Sequence, residues 1–558
     1  MFNASYSIPK PVNEKVLTYA PHSNERRDLS KKLDEIYSEF IEIPIIIDGK
    51  EVRTGDTSDI ICPHEHKHKL GKFHKVNEDS VLKAIKAAKG AKRDWAAMPF
   101  KDRASIFLRA AELIAGHYRF TLNASTMLCQ SKSCHQAEID SACELIDFLR
   151  FNAHFAESIY NDQPFSVPGV WNYVEYRPLE GFVYAVTPFN FTAIAGNLPT
   201  SPALMGNTVV WKPASTAIHS GYHVMKILKE AGLPDGVINF VPGSGNIISS
   251  AVFKDPDLGG IHFTGSTDVF SNFWKTIADN LSLYKSYPVL IGETGGKNFV
   301  FVHPSADISE VAAGIIRGAF EYQGQKCSAA SRAYIPRSMW LTLKEILVEE
   351  IKTIKLGDVR DFSNFMNAVI DKASFDRITG YINKAGKSPS ARIISGGKGN
   401  DSTGYFIEPT VIEALDPYYE TMQVELFGPV ITVYVYEDNK YEETLEICNG
   451  TSPFGLTGAI FARDRAAIQL AHKKLLYSAG NFYVNDKPTG AVVGQQPFGG
   501  SRYSGTNDKA GSSLNLRRWT NPRTVKENFS PVVDYRYPFL NEEPSGPARG
   551  KKRELSGV

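Results

Sequence analysis

Apolar residues recur at helical spacing through much of the first 160 positions of the chain. The clearest run follows an N-cap pair, Asp79 and Ser80, and comprises Val81, Leu82, Ile85, Ala88 and Trp95. Such spacing places side chains on one face of an α-helix. The same pattern predicts a second helix over about 102–117 and a third from about 136. We therefore predict that this first part is mainly helical.

From residue 181 onward, short apolar runs alternate with helices. The predicted strands lie within 181–186, 203–205, 207–213, 237–243 and 259–266, and a helix is predicted over about 222–231. This alternation is typical of the βαβ units of a parallel sheet. A second stretch of the same kind begins near Lys297 and runs to about Val484. The sequence thus predicts an α/β fold with two sheet regions.

Two further segments are predicted to be strands outside these regions. Residues 166–181 have the pattern of a β-hairpin that interrupts the first sheet region, and residues 517–528 have that of a late strand. Exposed strands without a local partner are typical of oligomerisation arms. We therefore expect 164–181 and 505–530 to form a β-strand arm in a homodimer or a higher homo-oligomer.

Residues 181–211 carry no charged side chain, as a membrane span would. However, Pro188, Pro199 and Pro202 interrupt the stretch, and asparagines lie between them. A bilayer would leave their backbone and amide groups without partners. We interpret the stretch as a buried core that passes through a polar site, and we expect no membrane contact.

Composition narrows the choice of partners. The 558 residues include 62 Lys and Arg against 61 Asp and Glu, so no basic field favours a nucleic acid. Six cysteines in a chain of this length indicate thiols in a reducing compartment.

The N-terminus has no targeting pattern. The small, polar and basic residues 545–558 are predicted to be a disordered tail.

Three histidines, His64, His66 and His68, alternate in the segment PHEHKHK. A strand would place all three on one face, where imidazoles can bind a metal ion. We favour a solvated strand in a lysine-rich hairpin, and we expect no metal site.

One cysteine differs from the others in its surroundings. Cys327 lies in GQKCSAASR, where small residues predict an accessible thiol in a turn with backbone amides that can meet an oxyanion. Glu293 follows the apolar run PVLIG and is a candidate general base. Asn190 follows the strand FVYAV, at the end of a parallel strand where ligands bind. The remaining cysteines are interpreted as inert.

The motifs TPFNF, WKP, FTGS, ETGGKN, GQKCSA, ELFGPV and PFGG occur in this order over about residues 40–530. In order and spacing they resemble the aldehyde dehydrogenase superfamily. Longer stretches, such as QAEIDSACELIDFLRFNA and VGQQPFGGSRYSGTNDKAG, are similar to one branch of it, which oxidises L-glutamate γ-semialdehyde in the second step of proline degradation. That branch is mitochondrial in animals and fungi, so the resemblance implies the mitochondrial matrix, with the cytoplasm as the alternative.

The resemblance implies a domain organisation. It places a Rossmann-type NAD-binding domain over 1–163 and 182–296 and an α/β catalytic domain over 297–484. It also implies that Cys327 attacks the aldehyde, that the Asn190 amide holds the oxyanion, and that Glu293 activates water to hydrolyse the thioester.

For the cofactor, NAD, the resemblance implies contacts at both riboses. Lys212 would bind the adenosine ribose with Thr187 nearby, and Glu425 would bind the nicotinamide ribose. The pyrophosphate would meet the start of a helix formed by Gly265, Ser266, Thr267, Asp268 and Val269. At the position of Ser215, NAD-preferring relatives often have an acidic residue, so NADP stays open as a second cofactor.

For the substrate, Glu144 can be argued from the sequence. It shares a helical face with Phe148, Phe151 and Phe155. By periodicity alone, a salt bridge to some Lys or Arg elsewhere is an equal alternative. The resemblance implies that Glu144 contacts the α-amino group of the substrate.

At the other end of the substrate, the resemblance implies an aldehyde pocket lined by Ser328, Gly490 and Phe498. It also implies a carboxylate site at Gly490 and the following residue, where the branch has a serine and this chain has Ala491. That departure leaves a second reading open, in which the same chemistry acts on another short semialdehyde. A catalytically silent protein on the same fold is disfavoured, because Cys327, Glu293 and Asn190 are all retained.

Overall fold

The computed structural model describes residues 6–540 of the chain, so the predicted tail at 545–558 lies outside the described residues. The helices are α1 Asn24–Ser38, α2 Glu78–Ala97, α3 Phe100–Ala115, α4 Arg119–Gln130, α5 Cys134–Ala137, α6 Glu144–Tyr160, α7 Thr192–Leu204, α8 Ile218–Glu230, α9 Gly245–Val252, α10 Thr267–Asp279, α11 Ile308–Phe320, α12 Arg337–Thr353, α13 Lys372–Gly386, α14 Glu420–Gln423, α15 Tyr441–Gly450, α16 Arg465–Lys474 and α17 Ser513–Arg517. A π-helical turn, Glu138–Cys143, joins α5 to α6.

The strands alternate with these helices from the middle of the chain onward. They are β1 Ile41–Ile43, β2 Ile45–Ile47, β3 Lys50–Val52, β4 Thr57–Cys62, β5 Glu65–His74, β6 Val170–Pro178, β7 Phe182–Val186, β8 Thr208–Lys212, β9 Ile238–Phe240, β10 Leu258–Thr264, β11 Val289–Glu293, β12 Asn298–Val302, β13 Ala330–Pro336, β14 Ala391–Ser395, β15 Gly399–Asn400, β16 Phe406–Ile407, β17 Thr410–Ala414, β18 Val430–Tyr436, β19 Phe454–Gly455, β20 Thr457–Phe461, β21 Asn481–Val484, β22 Ser501–Arg502 and β23 Thr520–Asn528.

Two seven-stranded sheets form the centre of the fold. The first has the order β11-β10-β7-β8-β9-β2-β3, and its strands from β11 to β9 are parallel. The second has the order β14-β17-β18-β13-β12-β20-β21, with β14 antiparallel and the rest parallel. The strands are almost continuously apolar because helices cover both faces, as in other parallel sheets. The predicted α/β fold with two sheet regions is confirmed.

One predicted strand is wrong. Residues 203–205 do not pair in a sheet, because 203 and 204 complete helix α7, which contains Pro199 and Pro202. Pro202 has no N–H to donate to the Leu198 carbonyl, and His262 Nδ1, 2.9 Å from that oxygen, donates to it instead. A short apolar run has too little periodicity to distinguish a strand from the end of a buried helix.

The first 160 residues also contain more β-structure than predicted. Strands β4 and β5 form a hairpin to which β1 is added in parallel. In this hairpin, the prediction of three solvated histidines is wrong for His64. His64 lies just before β5 and is buried, with Nε2 3.7 Å from Asp358. His66 Nε2 and His68 Nε2 donate to the carbonyls of Asp401 and Tyr37 at 2.8 and 2.9 Å.

The chain forms two compact units. One comprises residues up to 161 together with 177–521 and holds both large sheets. The other comprises 162–176 together with the chain from 522 on. The predicted hairpin at 166–181 is wrong, since β6 is a single strand whose partner is the distant β23. The division of the first unit into an NAD-binding and a catalytic domain stays a prediction.

Candidate active site

The carboxyl ends of four neighbouring strands place several predicted site residues along one edge of the first sheet. Glu293 is the last residue of β11, and Lys212 is the last residue of β8. Between them, Gly265 directly follows β10 and Thr187 directly follows β7. Parallel strands all end at the same edge, and ligands of open α/β sheets bind there. The edge therefore defines a candidate site.

Cys327 lies in a turn that leads into β13, and it is more enclosed than predicted. Its side chain is buried, with 9% exposure, whereas the sequence predicted an accessible thiol. Asn298 Nδ2 draws the turn inward by donating to the carbonyls of Cys327 and Ala329 at 2.7 and 2.9 Å. Gly296 permits this approach, because a Cβ there would lie 2.3 Å from the Cys327 carbonyl oxygen.

The backbone before this turn is held in a disfavoured conformation. Tyr322 and Gln323 have φ values of 51° and 53°, and Gly324 has φ of 65°. Left-handed conformations of non-glycine residues persist only where the surroundings enforce them. Here the Gln323 side-chain amide donates to the carbonyls of Ser131 and Ala368 at 2.9 and 2.8 Å. The backbone that leads into the Cys327 turn is thus fixed by buried hydrogen bonds.

Asn190 and Glu293 meet the turn from the first sheet. Asn190 Nδ2 donates to the carbonyl of Gln325 at 3.1 Å, two residues before Cys327. The Cys327 thiol is close enough to Glu293 for the carboxylate charge to act on it. The structure therefore brings together the three residues that the sequence proposed for catalysis.

The Cys327 thiol and the Glu293 carboxyl both have raised pKa values. Burial raises the pKa of the Cys327 thiol well above its ordinary value, and the charges of Glu293 and Glu425 raise it further. The Ser328 backbone N–H opposes this shift. The raised pKa favours the protonated thiol in the resting protein.

Glu293 is the candidate general base that the sequence predicted. Burial raises the pKa of its carboxyl well above the usual range. The backbone N–H of Gly500, which donates to Oε2 at 3.1 Å, and the positive charge of Lys509 oppose this shift. A raised carboxyl pKa lies closer to the pH at which a general base works best.

The start of α10 forms the part of the edge that was predicted to bind a pyrophosphate. Ser266 is its N-cap and accepts from the backbone N–H of Val269 at 3.4 Å. Thr267 and Asp268 complete the first turn, and Val269 is 44% exposed. A helix of this length presents N–H groups and a positive dipole end to an anion.

The predicted ribose-binding residues flank this helix. The Thr187 hydroxyl accepts from Trp211 Nε1 at 3.0 Å, and the Thr187 N–H donates to the Lys212 carbonyl at 3.2 Å. Burial lowers the pKa of the Lys212 ammonium group. On the opposite side, Glu425 Oε1 accepts from the Gly296 N–H at 2.8 Å, and burial raises the pKa of this carboxyl to about 7.

The residues predicted to line the aldehyde pocket are linked to the nucleophile's turn. The hydroxyls of Ser328 and Thr489 lie 2.7 Å apart. Gly490 follows with φ of 94°, a conformation that favours glycine. Ala491 and Phe498 are half-buried. A hydrogen bond thus joins the residue after Cys327 to the loop that was predicted to bind the substrate carboxylate.

Glu144 begins α6, and its Oε2 is buried with no hydrogen-bond partner among the described residues. On the same face, Phe148 is buried and Phe151 and Phe155 are half-buried. Residues 6–540 contain no ion pair to Glu144, so the alternative of a salt bridge finds no support there. Burial, together with the charge of Asp140, raises the pKa of Glu144 well above its ordinary value. A buried carboxyl without a partner is costly unless something binds it.

A buried set of charges lies beside Glu144. Asp140, on the π-helical turn, accepts from Lys132 Nζ at 2.6 Å, and Lys326 Nζ lies 3.4 Å from the same oxygen. Lys132 also lies over the ring of Phe191, with Nζ 4.3 Å from the centroid. Asp140 therefore engages both lysines, and their charge does not satisfy Glu144 directly.

Two lysines near the site were not found by sequence reasoning. Lys509 acts on Glu293 through its charge. The ammonium nitrogen of Lys487 lies 3.2 Å from the position that a Cβ on Gly490 would occupy. Lys509 belongs to a stretch that carries the family resemblance, but an isolated lysine in a loop gives no signal of what it faces. Over residues 6–540, no group of three or more His, Cys, Asp or Glu is arranged to hold a metal ion.

The fold and the site define the class of the protein. The model of the aldehyde dehydrogenase family matches residues 51–525, so the chain belongs to that family. Within the family, the chain is similar to particular enzymes. It is 53% identical over 540 residues to the mitochondrial delta-1-pyrroline-5-carboxylate dehydrogenase of Dictyostelium discoideum, covering 96% of this chain and 97% of the relative. It is 49% identical over 532 residues to the human mitochondrial enzyme of the same name, covering 95% and 94%.

A solved structure agrees with these relatives. The delta-pyrroline-5-carboxylate dehydrogenase of Mycobacterium tuberculosis bound with NAD superposes with a TM-score of 0.94 at 49% identity, covering 97% of this chain and all of that chain. No helix among the described residues has the length and apolar character needed to cross a bilayer.

Proposed function

We propose that this chain is an NAD-dependent dehydrogenase that oxidises L-glutamate γ-semialdehyde to L-glutamate, the second step of proline degradation. The observation that carries the proposal is the convergence of Asn190, Glu293 and Cys327 beside an unpartnered buried carboxylate, Glu144. The names of the relatives support the same substrate, since 1-pyrroline-5-carboxylate is the cyclised form of this semialdehyde.

The donor set along the sheet edge fits NAD. Lys212 and Glu425 offer an ammonium and a carboxylate for ribose hydroxyls, and the 13-residue helix α10 offers N–H groups for the pyrophosphate. When bound, NAD supplies the hydride acceptor. We infer that Thr187 and the residues 265–269 complete this site.

The first part of the reaction belongs to Cys327. The thiol proton passes to solvent water, and the sulfur electron pair forms a bond to the aldehyde carbon, which gives a thiohemiacetal. The Asn190 amide and backbone N–H groups of the turn stabilise the oxyanion, and one such donor contributes about 3–4 kcal/mol. Loss of a hydride from the same carbon leaves a thioester on Cys327.

The second part belongs to Glu293. It takes a proton from water while the water oxygen bonds to the thioester carbon, and the carbon–sulfur bond breaks with its electron pair on Cys327. The product is the γ-carboxylate of glutamate. The raised pKa of Glu293 suits this role, because a base of that strength accepts a proton from water more readily.

The substrate is held at its α-carbon. Glu144 binds the α-ammonium group, and backbone N–H groups near Gly490 and Ala491 bind the α-carboxylate. Ser328 and Phe498 line the pocket between this end and Cys327.

The test measures NADH formation by the purified protein with glutamate semialdehyde and NAD. Replacing the nucleophile in Cys327→Ser should abolish turnover and leave NAD binding intact, because a hydroxyl is a far weaker acid than a thiol. Cys134→Ser is the matched control, since Cys134 is half-buried at the start of α5 and has no role in the proposed chemistry. Turnover by Cys327→Ser within about tenfold of the unaltered protein would refute the assignment.

Glu293→Gln separates the two halves of the reaction. Hydride transfer should still give a burst of about one NADH per site, followed by slow turnover, because the thioester then accumulates. Unchanged rates for both steps would remove Glu293 from the mechanism.

A second candidate function retains this mechanism but acts on another short semialdehyde. The observation that favours it is Ala491, which has no hydroxyl to offer a carboxylate. Comparing kcat/KM for glutamate semialdehyde with that for succinate semialdehyde distinguishes the two.

We further propose a homodimer or a higher homo-oligomer in the mitochondrial matrix. The exposed apolar side chains of the second compact unit support assembly, since Phe165 and Phe529 are 84% and 62% exposed. The mitochondrial relatives support the compartment.

A further inference from the structure

The peptide group between Gly499 and Gly500 is hydrogen-bonded on both sides. Its N–H, that of Gly500, donates to Glu293 Oε2 at 3.1 Å. Its carbonyl oxygen, that of Gly499, accepts from Lys509 Nζ at 3.1 Å. Because a trans peptide is planar, the two bonds point in opposite directions along one rigid dipole. An ammonium ion on the carbonyl polarises the N–H and strengthens its bond to the carboxylate.

Lys509 is fixed in this position. Its Nζ also donates to the carbonyl of Gly480 at 2.7 Å and to Asn481 Oδ1 at 3.4 Å. The same Asn481 oxygen accepts from the Gly499 N–H at 3.2 Å, which holds the Gly499 backbone from a second side. Lys509 itself has φ of 55°, a left-handed conformation that a lysine rarely adopts. The loop therefore directs this ammonium group at the expense of an unfavourable backbone.

The glycine at 499 is required by the same arrangement. A Cβ there would lie 3.1 Å from Glu293 Oε1 and 3.1 Å from Asn507 Oδ1. Only a bare backbone lets the Gly499–Gly500 peptide come this close to the carboxylate.

Charged and titratable groups face Glu293 from two directions. Lys509 and Asp508 lie on the loop, and the Cys327 thiol lies across the site. The Asp508 carboxylate is turned toward Arg518, 3.1 Å away, and the Thr506 hydroxyl. Lys509 therefore supplies the positive charge on this side of Glu293.

We propose that Lys509 is a positioning residue for Glu293, which it orients and keeps ionised through the Gly499–Gly500 peptide while water attacks the thioester. The inference rests on the proposed role of Glu293 as general base. Lys509 exchanges no proton with the substrate. Its effect is on the base that accepts the proton of water.

The test is Lys509→Met, which keeps the length of the side chain and removes its charge and donors. Along the acidic limb of the kcat–pH profile, kcat should fall about tenfold, because weaker stabilisation of the carboxylate moves that limb up by about one pH unit. Activity should return toward that of the unaltered protein at alkaline pH. The NADH burst should be unchanged, since hydride transfer precedes this step. Lys509→Arg, which can donate to the same carbonyls, should restore most of kcat.

Lys229→Met is the matched control. Lys229 Nζ also donates to a glycine carbonyl, that of Gly49, at 2.6 Å, but on an exposed surface. Its replacement should leave kcat and the pH profile unchanged.

A pH-independent loss of kcat in Lys509→Met, an equal loss of the burst, or no change at all would overturn the inference. If that variant does not fold, Lys509→Gln provides the measurement, because it keeps an amide donor without the charge and should show the same displaced limb. Glu293→Gln distinguishes the two proposals. If it shows the burst while the Lys509 variants show no displaced limb, only the role of Lys509 fails. If it shows none, the general base itself is wrongly assigned.

Discussion

Glu144→Gln is the sharpest test of the substrate. The substitution replaces an ionisable carboxyl with a neutral amide and keeps the shape of the side chain. Glu144 Oε2 is buried without a partner among the described residues, whereas Asp140, one turn earlier, already engages Lys132 and Lys326. The nearest cations are therefore committed, and Glu144 is the free acceptor for an ammonium group brought by the substrate.

The magnitude follows from one charge-assisted hydrogen bond. Such a bond contributes about 1.5–3 kcal/mol, which corresponds to a loss of roughly 10- to 150-fold in kcat/KM. The loss is expected for glutamate semialdehyde, which carries the ammonium group. Propanal, which has no charge, should react with Glu144→Gln as it does with the unaltered protein.

A pH dependence accompanies this loss. Burial and the charge of Asp140 raise the pKa of Glu144 well above its usual range, so the carboxyl holds its proton to a higher pH than an exposed one does. Binding of an ammonium group must release that proton, and KM should fall as the pH rises. The variant has no proton to release, so the ratio of the two KM values should grow with pH. Cyclisation of the substrate affects both proteins equally and cancels in this ratio.

Steady-state kinetics with the two aldehydes over a range of pH decides the question. Equal losses of kcat/KM for glutamate semialdehyde and propanal would show that Glu144 only supports the fold. A pH-independent ratio of KM values would show that the carboxyl is already ionised, and would contradict the electrostatic argument.

Two further predictions concern binding and stability. Ala491→Ser should lower KM for glutamate semialdehyde by a few-fold to about tenfold and leave uncharged aldehydes unchanged, because it restores one hydroxyl donor near a carboxylate; an unchanged KM would place the carboxylate elsewhere. Burial lowers the pKa of His64, His219 and His262 to about 4, whereas the unfolded chain protonates them near 6.5. Their contribution to the free energy of unfolding should therefore be constant above pH 6.5 and fall as the pH drops toward 4. Urea unfolding should show a shallower pH slope for His262→Gln, and an identical slope would exclude its contribution.

Local patterns predicted the parts of the site that lie at strand ends. Asn190 and Glu293 each follow an apolar run, and a polar residue in that place signals an edge of a parallel sheet. Cys327 was found from its small neighbours, but its burial was missed, because Asn298 and Gly296 enclose the turn from another strand. The sequence of a loop does not indicate which distant residues pack against it.

The errors in the fold have the same origin. Strand β6 was taken for half of a local hairpin, yet Glu175 in it pairs with Arg523, 348 residues away. His64 was expected in solvent and instead lies against Asp358. The periodicity of apolar residues indicates which face of an element is buried, but it does not indicate which distant segment that element pairs with.

The arrangement of charges also explains why Glu293 acts in the hydrolytic half of the proposed reaction. Cys327 and Glu293 are both buried, and burial raises the pKa of each, so ionising both at once is unfavourable. While the sulfur carries negative charge, the carboxyl therefore holds its proton more firmly. Glu293 must lose that proton before it can activate water. Lys509, acting through the Gly499–Gly500 peptide, favours the ionised carboxylate at the stage when sulfur is already bound in the thioester. At that stage no thiolate competes for the negative charge, and the influence of Lys509 is then greatest on the hydrolytic step.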